Sequence, residues 1–348
     1  MRLEPVANPG LLRRLGLPAA ALAATVVTGS LLALSAGADP LATLGLIVTG
    51  AVGSKFAALE TLNRATPLIF TGLAVAVAFR AKLWNIGAEA QLYAGALVTA
   101  VLGAHPLLTG FPGMALIGLA AALAGALLLL GPVLLKTRLG VDEVVTTLLL
   151  NFVMLLVVSM LLEGVLKDPM GMGWPKSAPV AKSVRLPRLI EGLRLHWGFG
   201  LALIAAGLVW LMQARMRLGY EIRAVGLNRA AARFAGVPVG AVLVKTALIS
   251  GGLAALAGFS EVAGLKGTLT LDLSPGFGYT GVIVAMLAAL HPGGVVVAAL
   301  FVAGVFVGSD AMSRAAGVPS YIADLLLASA LLYMVLAMQL VRYRVVWR

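Results

Sequence analysis

The chain has 348 residues, of which 61% are hydrophobic and 11% charged, with a formal net charge of +12. So few polar residues cannot cover the surface of a water-soluble protein, and the composition therefore predicts an all-α polytopic membrane protein. The basic residues lie in short segments between apolar runs, where they set membrane orientation and contact anionic lipid, so the positive charge does not indicate a nucleic-acid partner. The chain has no cysteine, which excludes disulfides.

The apolar runs predict about ten transmembrane helices in a single domain, residues 1–348, with both ends of the chain in the cytoplasm. The first run, Leu15 to Ala36, follows a basic tail, and the last, Tyr321 to Leu340, precedes a C-terminal segment with three arginines. Between them, further crossings are expected at Pro67–Phe79, Ile86–Gly103, Gly113–Leu135, Glu143–Leu162, Trp197–Met212 and Val239–Val262.

Three runs are short for a full crossing. Leu41 to Gly53 is glycine-rich and is expected to be re-entrant or interfacial, whereas Tyr279 to Leu290 and its successor, Val295 to Ser309, suggest broken or tilted helices. The glycines around the last two runs have two interpretations. They allow irregular backbone that lines a cavity, or they allow neighbouring helices to pack closely.

The longest polar segment, Glu163 to His196, contains four prolines and is predicted to be an external loop because successive crossings alternate between the two sides. Its basic residues outnumber its acids, which conflicts with the positive-inside rule. That rule weakens for longer loops, and every flanking segment fits the external assignment.

A second polar stretch, residues 214–238, carries five arginines in and beside it against one acid, which predicts a cytoplasmic position. It also has the pattern of a small folded unit. Asn228 can cap a short helix, and Gly236 with Pro238 ends it. The stretch is either a loop that only fixes orientation or a docking surface for a cytoplasmic partner.

Polar residues at or inside the predicted crossings are candidates for the substrate pathway. The densest cluster is Asn85, Glu89 and Gln91, and on a helix Asn85, Glu89 and Tyr93 would share one face while Gln91 points elsewhere. A structural alternative has Asn85 capping the helix and Glu89 within reach of a basic residue at position 80 or 82.

The second pair of candidates is Thr147 and Asn151, which are four positions apart and share a helix face. Their side chains can hydrogen bond a neutral hydroxylated solute, or they can bond a neighbouring helix.

The chain has no G-x-x-x-x-G-K-[ST] phosphate loop, no zinc-ligand pattern and no G-x-S-x-G, so no ATP site, metal site or catalytic residue is expected in it.

Four stretches resemble one family in the right order along most of the chain. They are PLIFTGLAVAVAFRAKLWNIGAEAQLYAGAL from Pro67, DEVVTTLLLN from Asp142, GYEIRAVGLNRAAARFAGV from Gly219 and GFGYTGVIVAMLAALHPGGVVVAALF from Gly276. They are similar to the permease subunits of bacterial ABC importers for simple sugars and nucleosides, and most of all to the longer permease of nucleoside systems. One departure is Ala90, which replaces the glycine of the family pattern NIG-x-EGQ.

The resemblance implies a multi-pass subunit of the bacterial inner membrane, a transporter component that is not an enzyme. Its implied partners are a second permease, a cytoplasmic ABC ATPase that uses ATP and Mg²⁺, and an external solute-binding protein, with no cofactor bound by this chain. The segment from Gly219 to Gly236 resembles the coupling loop that contacts the ATPase. In that scheme Gly219 and Gly226 allow a tight fit, and the polar contacts are Glu221, Arg223 and Asn228.

Two rival functions belong to other classes. An ion-coupled secondary transporter would move a small polar solute without an ATPase, and a membrane scaffold would bind partners and move nothing. The structured basic stretch argues against the first, and the broken-helix candidates argue against the second.

Overall fold

The structure is a computed structural model that describes residues 2–6, 10–35, 37–190, 192–317 and 321–346. Arg348 and Ala36, which the sequence assigns to the C-terminal tail and to the end of the first crossing, lie outside these residues. The helices are α1 (Leu11–Ser35), α2 (Pro40–Val52), α3 (Lys55–Arg80), α4 (Ala88–Gly103), α5 (Gly110–Leu139), α6 (Glu143–Glu163), α7 (Gly198–Arg215), α8 (Arg217–Leu227), α9 (Arg229–Phe234), α10 (Val239–Ser260), α11 (Phe277–Leu287), α12 (Pro292–Ala316) and α13 (Tyr321–Arg342).

Among the described residues, six helices are long and apolar enough to cross a membrane: α3, α5, α6, α7, α10 with the π-helical turn that follows it, and α12. The end of α1 and all of α2 form a pair bent by 113°, which makes up to seven if the pair counts as one span. This bend fits the expected re-entrant segment. The chain is therefore a polytopic helical membrane protein, and the larger number of about ten crossings stays a prediction.

One of the short segments was predicted wrongly. α12 has 25 residues and is about 38 Å long at 1.5 Å per residue, so the successor of the Tyr279–Leu290 run is a full-length helix. α11 is short, as expected, with 11 residues. The turn that joins these two helices contains Ala289 and Leu290, both in the left-handed backbone conformation at φ 48° and 62°.

The chain folds as two compact units. The first comprises Met1–Thr61 and Phe301–Arg348, and in it α1 packs against α13. Arg13 donates hydrogen bonds to the backbone oxygens of Leu340 and Tyr343 at 2.9 and 3.0 Å. The two tails then pair as strands β1 (Arg2–Pro5) and β2 (Tyr343–Val346), with Arg2 opposite Val346. This antiparallel pair corrects the all-α expectation and places both ends of the described chain side by side.

The second unit, Leu62–Leu300, has its core where α4, α5 and α10 pack together. Glycines set the distances between these helices. A Cβ on Gly125 or Gly251 would overlap the backbone of the other residue, and a Cβ on Gly258 would overlap the backbone oxygen of Leu92. Small residues of this kind let helices approach closely in lipid, where the hydrophobic effect does not drive their association.

α3 begins at Lys55 and not at Pro67, so the polar residues expected at the edge of the re-entrant segment lie inside a helix. Pro67 lacks the N–H that an interior helical residue normally donates, which is why the sequence pattern places a boundary there. The Thr71 hydroxyl donates to the Pro67 backbone oxygen at 3.0 Å within this helix.

Apart from a 3-10 turn at Lys182–Val184, the described residues of the long loop after α6 are non-helical. It pairs with the backbone that follows α10. The Ser177 N–H donates to Leu269 O at 3.0 Å, and the Leu186 N–H donates to Ala263 O at 2.9 Å. Ala263 belongs to a π-helical turn, Glu261–Lys266, which no feature of the sequence predicts.

Candidate functional site

The basic stretch after α7 folds into two helices, α8 and α9, of which only the second was predicted. Asn228 is the N-cap of α9, and its side-chain oxygen accepts hydrogen bonds from the N–H groups of Ala230 and Ala231 at 2.9 and 3.1 Å. Gly236 follows the helix in the left-handed conformation at φ 80°. The predicted capped helix is confirmed, and Asn228 uses its side-chain oxygen inside this chain.

α8 packs on the ends of α3 and α7 through its glycines. A Cβ on Gly226 would overlap the backbone oxygen of Arg80, and one on Gly219 would overlap the backbone of Met212 and Gln213. Gly219 and Gly226 therefore make a tight fit within this chain, and their fit to a partner ATPase stays a prediction.

The charged side chains of this stretch are also held by the chain. Arg217 Nε donates to Glu221 Oε1 at 2.7 Å, and Glu221 is buried. Arg223 Nη1 donates to the backbone oxygen of Gln213, and Arg229 Nη2 donates to Lys82 O at 2.9 Å. The first bond lies within α8, whereas the other two fix α8 to α7 and α9 to the backbone just after α3.

The side of α8 and α9 that faces away from the rest of the chain carries large exposed residues. Tyr220, Leu227 and Phe234 are 64%, 82% and 97% exposed, and the side chain of Arg217 is 86% exposed. Arg233 is exposed beside Phe234. We call Arg217, Tyr220, Leu227, Arg233 and Phe234 the coupling surface. Its apolar members were not predicted, although they stand out in the sequence as large apolar residues in a polar, basic stretch.

The five predicted pathway residues come together in one buried cluster, which we call the polar joint: Asn85, Glu89, Gln91, Thr147 and Asn151. Asn85 and Gln91 exchange two amide hydrogen bonds of 2.9 Å. Asn85 Nδ2 also donates to the Ser250 hydroxyl at 3.0 Å, and that hydroxyl donates to Ala74 O at 2.7 Å. This network ties together α3, α4 and α10.

Thr147 and Asn151 of α6 bond the backbone at the start of α4. Asn151 Nδ2 donates to Ile86 O at 3.0 Å, and its Oδ1 accepts from Ala90 N–H at 2.9 Å. The Thr147 hydroxyl accepts from Ile86 N–H at 3.2 Å. Of the two interpretations of this pair, the structure therefore shows interhelical bonding.

Glu89 is 3% exposed, and its Oε2 accepts a hydrogen bond of 2.6 Å from Gly278 N–H in the first turn of α11. The carboxylate meets the positive end of a helix dipole there. The structural alternative offered Arg80 or Lys82 as its partner, and of these Arg80 instead donates to Gln213 Oε1 at 2.6 Å.

Asn85 does not cap α4, whose N-cap is Gly87, so it does not continue the helical face of Glu89 and Tyr93. It precedes the helix and its Oδ1 accepts from Gly87 N–H at 3.0 Å. The glycines at the start of α11 show both predicted roles, irregular backbone and close packing of neighbouring helices. Gly276 needs the left-handed conformation at φ 87°, whereas a Cβ on Gly278 would overlap the backbone of Glu89.

Two further polar residues in this unit were missed. Tyr279 is 39% exposed and lies beside the Asn151 side chain, so this part of the polar joint is close to the molecular surface. Glu261 is 2% exposed and begins the π-helical turn. The sequence shows Glu261 as an acid at the end of an apolar run. It does not predict the π-helical turn in which Glu261 is buried.

An apolar crevice of about 330 Å³ lies among α5, α7 and α10, with Phe70, Phe111, Met114, Ile204, Leu208 and Phe259 in its lining. A sugar or nucleoside needs several hydrogen-bonding groups from its site, and this lining has almost none. The crevice is therefore unsuited to a hydroxylated solute.

Among the described residues, six helices, or up to seven, are long and apolar enough to cross a membrane, which defines a polytopic helical membrane protein. A family model described as "Branched-chain amino acid transport system / permease component" matches residues 57–338. The chain belongs to this permease family. It is a transporter subunit and not an enzyme.

The relatives agree with this assignment over nearly the whole chain. The glucose ABC transporter permease protein TsgB13 of Haloferax volcanii is 34% identical, covering 95% of this chain and 89% of its own. The guanosine ABC transporter permease protein NupP of Bacillus subtilis is also 34% identical, covering 92% and 93%. The nucleoside ABC transporter permease protein NupB of Lactococcus lactis is 29% identical, covering 92% and 90%. No solved structure matches the chain.

Proposed function

We propose that this chain is the membrane-spanning subunit of an ATP-driven importer and that, with a second permease, it forms the pathway for a nucleoside or a simple sugar. The observation that carries the proposal is the match to ABC permeases named for guanosine, nucleoside and glucose over more than 90% of this chain. Two of these three names specify a nucleoside, which makes a nucleoside the first solute to test.

The remaining subunits follow from this assignment. A cytoplasmic ABC ATPase would hydrolyse ATP with Mg²⁺, and an external binding protein would deliver the solute at the inner membrane of a bacterium. Ten crossings result if α1, α3 to α7 and α10 to α13 all cross and α2 is re-entrant, which returns the chain to its starting side. The pairing of β1 with β2 supports that arrangement, and the flanking arginines support a cytoplasmic side.

The coupling surface is the proposed contact with the ATPase. Leu227 and Phe234 are large apolar side chains, 82% and 97% exposed, on helices whose other sides are fixed to the permease. Such side chains suit an apolar cleft, and Arg217 and Arg233 would meet an acidic rim. Gly219, Glu221, Arg223, Gly226 and Asn228 then hold α8 and α9 in place, so that a movement of the ATPase reaches α3 and α7 directly.

The polar joint is proposed to shape the pathway. That its five residues line the pathway stays a prediction, and the hydrogen bonds support a narrower role. Asn85 already makes four hydrogen bonds within the chain, so it has no free donor or acceptor for a solute. The joint instead fixes the first turns of α4 and α11, and Tyr279 is the group through which a solute would contact it.

The test is affinity purification of the tagged chain from its native membranes, followed by ATPase assays with and without nucleosides or sugars. The proposal expects an ATPase and a second permease to co-purify, with hydrolysis stimulated by a nucleoside in the presence of the binding protein. A chain that purifies alone at every salt and detergent condition, and that moves solute down an ion gradient after reconstitution, would contradict it.

A further inference from the structure

A turn in the long loop after α6 exposes large apolar side chains. Met170, Met172 and Trp174 are 87%, 101% and 65% exposed, and Val165 just before them is 88% exposed. Four such side chains within ten positions form a patch that the described residues of this unit leave uncovered. Exposed apolar patches on an otherwise polar segment indicate an interaction surface.

Backbone and side-chain hydrogen bonds fix the conformation of this turn. Asp168 N–H donates to Lys176 O at 2.9 Å, and Trp174 N–H donates to Gly171 O at 3.0 Å. Asp168 Oδ1 accepts from Met170 N–H at 3.0 Å, and Lys167 pairs with Ser177 in an isolated antiparallel bridge. Because these bonds fix the backbone, the apolar side chains are directed outward by a built turn and do not fold back onto the protein.

The tip of the turn has a strained backbone. Met172 has a φ of 50° and Gly173 has a φ of 84°, both in the left-handed region. The left-handed conformation is energetically unfavourable for a residue with a Cβ. Met172 adopts it while its side chain is fully exposed, so packing inside the unit does not account for the large apolar residue at this position.

The position of the turn relative to the bilayer follows from α6. This helix is the least buried of the six candidate spans, with 17% of its apolar stretch buried by the rest of the chain. Phe152, Leu156 and Met160 on its outer side are 57%, 71% and 66% exposed. Its 21 residues reach about 31 Å, the thickness of the hydrocarbon core, so its C-terminal end lies at the headgroup level. The turn begins five residues after α6 ends.

We propose that the turn 168–176 is a membrane-surface anchor, which inserts Met170, Met172 and Trp174 into the boundary between the headgroups and acyl chains of the bilayer. The lipid is the favoured occupant because the exposed residues begin at Val165, just after the exposed apolar helix α6 ends at Glu163, at the depth where this helix leaves the hydrocarbon. Tryptophan prefers that depth, and the exposed Lys167 beside the patch suits anionic headgroups.

The absence of cysteine makes the test direct. Met172→Cys and Met170→Cys are labelled with a nitroxide and reconstituted into nanodiscs of phosphatidylcholine with phosphatidylglycerol. Accessibility to oxygen, which partitions into lipid, is compared with accessibility to a water-soluble nickel chelate. Ser183→Cys is the matched control, because it is an exposed position in the same loop but in a polar stretch.

The anchor predicts that both methionine positions are several-fold less accessible to nickel than position 183 and more accessible to oxygen. Equal nickel accessibility at all three positions would overturn the proposal. Protection at position 172 that arises only when the external binding protein is added would also overturn it, because the patch would then be a protein-docking surface. Neither outcome depends on transport activity, so the anchor can fail while the importer assignment stands.

Discussion

The carboxylate of Glu89 caps the first turn of α11 by accepting a 2.6 Å hydrogen bond from Gly278, a residue 189 positions further along the chain. The same turn is supported by Ser274, whose hydroxyl accepts from Phe277 N–H at 2.9 Å, and by Thr71, which donates to Phe277 O at 3.0 Å. A short helix is thus fixed at its N-terminus by residues from three separate segments.

Replacing Glu89 with alanine should destabilise the protein by about 1–3 kcal/mol, because the buried N–H of Gly278 loses its acceptor. Glu89→Gln keeps a side-chain oxygen at the same place and should cost less than half as much. Thermal unfolding of the reconstituted variants measures both. Equal losses for alanine and glutamine would show that the carboxylate charge, and not the hydrogen bond, stabilises α11.

Gly278→Ala tests the contact from the other side. The added Cβ would overlap the backbone nitrogen and α-carbon of Glu89, and neither atom can move without shifting α4. We expect a loss of about 1–3 kcal/mol or more from this overpacking. Gly131→Ala in α5 is the control, because nothing lies within 4 Å of its added Cβ, and its stability should stay within about 1 kcal/mol of the parent. Comparable losses at the two sites would contradict the close approach.

The glycines illustrate which parts of the fold the sequence can predict. Apolar runs flanked by arginine and lysine locate most helices, because lipid requires long apolar segments and cytoplasmic flanks favour positive charge. α8 was missed because Gly219 and Gly226 disfavour a helix locally, whereas both are needed for its contacts with α3 and α7. Tertiary contacts that a sequence window does not contain decide such elements.

For the candidate site, too, the sequence indicates the residues but not the distant residues that they contact. Asn85, Glu89, Gln91, Thr147 and Asn151 were recognisable as polar residues near apolar runs, and the structure brings all five together. Their partners were not recognisable, because Ser250 and Gly278 lie more than 150 positions away from Asn85 and Glu89. The β1–β2 pair was missed for the same reason, since its strands come from opposite ends of the chain.

Serine at Leu227 or Phe234 should release the ATPase, because the coupling surface would lose its apolar contacts. We expect each variant to lower ATPase co-purification at least tenfold, the loss that truncation of an interface hot spot typically produces. The permease should fold normally, since both side chains are exposed. Leu107→Ser is a matched control, because Leu107 is 83% exposed against 82% for Leu227. Full retention of the ATPase by both coupling-surface variants would place the contact elsewhere.

Because the imidazole of His196 is buried, we expect the folded protein to lose stability as the pH falls. It is buried between Gly198 and Gly264, its Nδ1 accepts from Gly198 N–H at 3.1 Å, and burial lowers its pKa to about 4. Above pH about 6.5 the imidazole is neutral in both the folded and unfolded states. As the pH falls from there towards 4, the unfolded state takes up a proton that the folded state does not, and about 3 kcal/mol of stability is lost.

His196→Asn keeps a side-chain acceptor for Gly198 N–H and removes the titration. The variant should be less stable at neutral pH but should lose less stability between pH about 6.5 and 4 than the parent. Thermal unfolding midpoints across this range give both slopes, and the carboxylates common to the two proteins cancel in the comparison. Parallel slopes would mean that His196 titrates normally in the folded state.

The most direct test of the account is uptake of a labelled nucleoside by proteoliposomes that contain this chain, the second permease and the ATPase, with the binding protein on the outside and ATP inside. An ATP-driven importer coupled through Phe234 should show uptake that needs ATP and that is lost in the Phe234→Ser complex. Uptake by vesicles that contain this chain alone, driven by an ion gradient and unchanged by Phe234→Ser, would contradict it.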